Sequence, residues 1–143
     1  MVDIADVRKR VRLTIEQSRK YAQERRDRVV SVEREIIAVL EHVVTPVFRA
    51  VAAALKAEGY LFRVLTPPGS IRLVAETKEE NFIELRLDSM RDPPVLMVRV
   101  SRAWGRRVLV DDKTVRDGAS IANWTEDEVL VFLLREIQPF VER

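Results

Sequence analysis

No cysteine occurs among the 143 residues. Disulfides, thiolate metal sites and a cysteine nucleophile are therefore excluded. One histidine is present, His42, beside Glu41 and among Val39, Val43 and Val44. A catalytic triad would have only this imidazole as its base, and a two-histidine metal site has no second ligand. His42 is read as a structural or surface residue. The four glycines are isolated from one another, so no phosphate-cradling loop can form. No serine stands in a Gly-x-Ser-x-Gly elbow. No uninterrupted apolar run approaches the roughly 20 residues that a membrane span needs. Met1-Val2-Asp3-Ile4-Ala5-Asp6 carries acid and lacks the apolar centre of a signal peptide. The expectation is a soluble, cytoplasmic protein with no membrane contact, no metal and no cofactor.

What is present is core-forming material and charge. The chain is 47% hydrophobic and 34% charged, enough for a packed interior in one domain of this length. The net charge of +2 is unevenly spread. Residues 1–34 hold ten Arg or Lys against six Asp or Glu, a net of +4, and the remainder is acidic by two.

Residues 3–44 contain neither Gly nor Pro, and Asp3 and Asp6 sit where a helix start favours negative charge. Apolar residues recur at seven-residue steps in Ile15, Ala22, Val29, Ile36 and Val43. A second series lies four residues earlier in each heptad: Ile4, Val11, Ser18, Arg25, Val32 and Val39. Together they form an a/d stripe interrupted by Ser18 and Arg25. A helix of this length outreaches a small domain, so residues 1–28 are read as a projecting helical arm and residues 29–143 as one α+β domain. Thr45-Pro46 is read as a kink or restart, with Thr45 as N-cap. A shorter helix then runs to about residue 58 and stops at Gly59.

Residues 60–116 read as a meander. Strands are expected at 60–66, 71–77, 82–88, 95–101 and 107–111, with a short sixth piece at 114–116. Turns fall at Pro67-Pro68-Gly69-Ser70, at Lys78-Glu79-Glu80-Asn81, at Arg91-Asp92-Pro93-Pro94, at Gly105 and at Asp117-Gly118. Strand 82–88 alternates most cleanly: Ile83, Leu85 and Leu87 point one way, Glu84, Arg86 and Asp88 the other. One buried and one wet face follow, so exchange of Glu84 is expected to be nearly silent. Thr125-Glu126-Asp127-Glu128 is a capping box, Trp124 before it is a candidate hydrophobic staple, and a final helix runs over 126–141. Its broad stripe (Val129, Leu130, Phe132, Leu133, Leu134, Ile137, Phe140 and Val141) suits packing on the sheet. Pro139 is expected to loosen its last turn.

The fold class is thus α+β. A five-stranded, mainly antiparallel meander sheet is flanked by a long N-terminal helix, kinked or broken near Pro46, and by a C-terminal helix.

Three functional classes compete. The first is a non-enzymatic interaction or assembly module, a homodimer or a binder of another protein. It would self-associate through Ile15, Ala22, Val29, Val32, Ile36, Val39 and Val43 on the N-terminal helix. The second is a nucleic-acid-associated protein. Arg8, Arg12, Arg19 and Arg26 lie roughly on one side of the helix, and phosphate contacts need such a stripe. Arg102, Trp104 and Arg106 form a second basic and aromatic set that could stack on a base or anchor a partner. The third is a metal-dependent enzyme using carboxylates. Glu76-Thr77-Lys78 matches only a fragment of a nuclease site, and strand 60–66 supplies no aspartate to share a Mg²⁺ ion. The first class is favoured, because the heptad stripe needs a cover and the other patterns are fragmentary.

Overall fold

A computed structural model describes residues 1–117 and 121–142. The N-terminal helix does not break. It comprises α1 (Ile4–Val39), a π-helical turn (Leu40–Val44) and α2 (Thr45–Ala57), one continuous helix. At 1.5 Å per residue its 54 residues extend about 80 Å. The irregularity expected at Pro46 takes the form of the π turn directly before it, without a restart of the helix. Proline has no N–H to donate, and its ring crowds the carbonyl four residues back. The widened turn immediately before it absorbs that extra bulk. Thr45 is likewise helical (φ −58°, ψ −46°) and is not an N-cap. Its backbone N–H bonds the Leu40 carbonyl, and its hydroxyl donates to the same oxygen at 2.6 Å. Asp3 caps the start by accepting from the Ala5 N–H at 3.1 Å.

The helix ends as its glycine predicts. Gly59 has φ +90°, a conformation strained for any side chain. The Tyr60 N–H reaches the Leu55 carbonyl at 2.8 Å and the Gly59 N–H that of Lys56 at 3.0 Å, closing the last turn.

Five antiparallel strands follow in sequence order: β1 (Phe62–Leu65), β2 (Ser70–Ala75), β3 (Phe82–Asp88), β4 (Val95–Trp104) and β5 (Arg107–Asp117). The expected sixth piece is the end of β5, which runs unbroken past Asp111-Asp112-Lys113 because β4 is itself ten residues long and pairs with it throughout. A register shift at Leu96/Met97 takes up the irregularity. The turn expected at Asp117-Gly118 reaches outside the described residues. The C-terminal helix, here α3 (Glu126–Val141), has the predicted capping box. Thr125 Oγ1 accepts from the Glu128 N–H at 3.2 Å, and Glu128 Oε1 accepts from the Thr125 N–H at 3.3 Å. Trp124 is buried with its ring edge-on to Phe132 at 5.9 Å. α3 stays helical through Pro139.

One face of the sheet carries Ile71, Leu73, Ile83, Leu85, Leu96 and Val98, all at most 1% exposed. They form one cluster with Ile36, Leu40, Val44, Phe48 and Val51 of the long helix and Val129, Leu133 and Ile137 of α3. Burial of each such side chain contributes roughly 1.5–3 kcal/mol, so this cluster holds the domain together.

The other face is not simply wet. Arg72, Glu84, Arg99 and Asp112 stand directly opposite one another on β2 to β5, a row of alternating charge. Arg72 Nε donates to Glu84 at 2.8 Å, and Arg99 grips Asp112 with two bonds of 2.8 and 3.0 Å. Arg72 also lies over the Phe82 ring. Glu84 is only 8% exposed. The expectation that its exchange is silent is therefore corrected, because lateral neighbours bury it without any helix above.

Packing begins late in the long helix. Ala22 is the one residue of 1–28 that is even half-buried, and Ile36 is the first to be fully buried. Removal of residues 1–28 is expected to leave a cooperative unfolding transition with a melting temperature within a few degrees of the full chain. Differential scanning calorimetry checks this. Loss of the transition would mean that the arm belongs to the core.

Candidate functional site

The arm is the most conspicuous feature that the domain leaves uncovered. Ile4 is 73% exposed, Val7 40%, Val11 51% and Ile15 45%. Their spacing of three, four and four residues places them on one face of α1. Ala22 and Val29 continue that face and are half-buried. Ile36 and Val39, next in the same series, are 0% and 6% exposed and belong to the domain core. Val32 and Val43 are half-buried against that core.

The seven proposed self-association residues therefore divide. Ile36 and Val39 are consumed within the chain, Val32 and Val43 lean on the core, and Ile15, Ala22 and Val29 remain accessible. Heptad spacing alone cannot separate a seam that faces the chain's own sheet from one that faces another molecule. The missed member is Val7. It falls outside both heptad series, and its signal was its place three residues after Ile4 and four before Val11.

The basic residues flank this stripe. Arg8, Arg12 and Arg19 line a shallow recess of about 510 Å³ with Val7, Val11, Ile15 and Glu16. Arg26 donates to Gln23 at 2.8 Å, and Arg10 pairs with Asp6 at 3.1 Å. A second recess, of about 410 Å³, lies where the arm meets the domain, lined by Ala22, Arg25, Arg26, Val29, Val30 and Asp92. Arg102, Trp104 and Arg106 occupy a different element, the β4–β5 hairpin. Trp104 is 62% exposed at the end of β4, with the Arg102 guanidinium 5.1 Å from its ring centroid. Arg106 follows Gly105 in the turn.

Elsewhere an apolar groove of about 360 Å³ separates α2 from α3, walled by Ala50, Ala54, Leu130 and Leu134 among others. Among the described residues no group of three or more His, Asp or Glu side chains is placed to hold a metal ion. His42 and Glu76 are exposed. Asp112 is held below the usual carboxylate range by its hydrogen bond from Arg99; that pair spans two strands and is explained by the charge row.

The long helix contains an 18-residue window apolar enough to cross a membrane by length and composition, and 39% of that window is buried inside the domain. Single charged or polar residues interrupt the apolar run without making the window polar.

Comparison with protein-family models, with curated proteins and with solved structures found no match in any of the three.

Proposed function

We propose that this protein is a non-enzymatic interaction module that self-associates through its projecting N-terminal helix. One observation carries the reading: a single apolar stripe is core from Ile36 onward and solvent-exposed from Ile4 to Ile15. An isolated helix cannot hide such a stripe from water, and burying it against a like stripe supplies the hydrophobic driving force. Symmetric dimers are the commonest way to do so. Sedimentation velocity tests this. The expected species has about twice the 16.6 kDa chain mass. Val11→Asp with Ile15→Asp should return it to the single-chain mass without loss of the folded domain, since both residues lie outside the core. A wild-type chain that stays monomeric at high micromolar concentration would overturn the reading.

A second reading is nucleic-acid association, favoured by the placement of Arg8, Arg12 and Arg19 along one recess. Phosphate binding releases counterions, so retention on a phosphate-rich matrix that falls steeply with salt distinguishes it.

A further inference from the structure

We infer that the two arms of the dimer run antiparallel, with Ile4 of each copy packed at Val29 of the other. The inference rests on the self-association proposed above and adds its orientation and register.

Orientation follows from where the domain sits. Val29 and Ile36 are one heptad apart on the same face of the helix, and Ile36 is wholly buried beneath the sheet. The domain therefore occupies the same side of the helix as the stripe. In a parallel dimer both domains would lie between the two helices at the same level. Packed helices are about 8–10 Å apart, which leaves no room for two sheets. Antiparallel arms put the domains at opposite ends, each beyond the tip of the other copy's arm.

Register follows from what the stripe must cover. An antiparallel pair sets each position of one series against a position of the other. With Ile4 at Val29, Val11 meets Ala22 and Ser18 meets Ile15, and the two-fold axis crosses the arm between Glu16 and Gln17. Every accessible apolar position of the two series then faces another such position or Ser18. A shift of one heptad toward the domain drives Ile4 onto Ile36, which is already buried. A shift the other way leaves Val29 uncovered. The Arg8 and Arg25 side chains of opposite copies meet in the chosen register, and their long stems allow the charged ends to reach water.

The recess at the base of the arm fits this register. Its lining of Ala22, Arg25, Arg26, Val29, Val30 and Asp92 lies where the tip of the second arm arrives. Ile4 and Val7 of the second copy supply apolar groups to fill it.

The absence of cysteine makes the test direct. Full-length Val11→Cys and Ala22→Cys chains are prepared separately, confirmed as dimers by sedimentation, then mixed and mildly oxidised. A disulfide needs Cα atoms within about 7 Å. The mixture is expected to give a covalent dimer containing one chain of each kind, and neither variant alone should cross-link, because like positions are offset by eleven residues, about 16 Å along the helix. Ile15→Cys mixed with Ser18→Cys should also give a covalent dimer; there like positions are offset by only three residues, about 4.5 Å, so the single-variant control belongs to the Val11 and Ala22 pair. Cross-linking of Val11→Cys with itself, or a dimer whose mixed variants never cross-link, overturns the antiparallel register while leaving self-association standing. A monomeric wild type removes both.

Discussion

Leu85→Lys is expected to leave no folded protein under conditions where the wild type melts cooperatively. Leu85 is 0% exposed on the central strand, opposite Ile71 on one side and Val98 on the other, both buried. A lysine there must place an ammonium among the hydrophobic side chains of the core or give up its charge. The loss of the leucine's packing adds to this, so the total exceeds about 4 kcal/mol, comparable to the whole stability of many domains. Circular dichroism melting is the measurement. Leu85→Met keeps the volume and should cost less than about 1.5 kcal/mol. A cooperative melt for Leu85→Lys near the wild-type temperature would show that β3 is inverted, because a slip of one residue exchanges its faces.

Glu84→Lys is the second large effect, and it tests the face without helices. Glu84 stands between Arg72 and Arg99 on the neighbouring strands and accepts from Arg72. A lysine there makes three adjacent cations in a row across the sheet and leaves Arg72 without its acceptor. Breaking a buried ion pair costs about 3–5 kcal/mol. Arg72 and Arg99 keep about a third of their side-chain surface in water, so about 2–4 kcal/mol is expected after solvent screening. Urea unfolding should show a lower midpoint with an unchanged slope. Glu84→Gln keeps the shape and one acceptor and should lose less. The row also predicts partial repair: Arg72→Glu in the Glu84→Lys chain restores a pair of opposite sign and should recover part of the midpoint. Equal midpoints for wild type and Glu84→Lys would mean that the row contributes nothing.

Local rules made much of this molecule legible from the chain. The bounds of β3, the Thr125 capping box and the stop at Gly59 all depend on residues a few positions apart. A hydroxyl, a carboxylate or a missing Cβ acts on its own stretch of backbone, and the sequence specifies that directly. The alternation of Ile83, Leu85 and Leu87 with Glu84 and Arg86 likewise identified the core face before any neighbour was known.

Three matters were settled only in three dimensions. At Pro46 two outcomes satisfy the same local chemistry, a restart or a π turn. Continuous burial of Leu40, Val44, Val47 and Phe48 in the core accompanies the unbroken helix. At Glu84, alternation places the side chain away from the helices, but its burial comes from Arg72 and Arg99 on other strands, brought alongside by pairing register. Along the heptad stripe, Ile15 and Ile36 hold equivalent positions in the sequence. One is exposed and the other is core, because a helix about 80 Å long outreaches the domain that covers it. The chain by itself determined that the stripe must be covered. Only the fold decided how far the molecule covers it alone, since that depends on where the sheet ends.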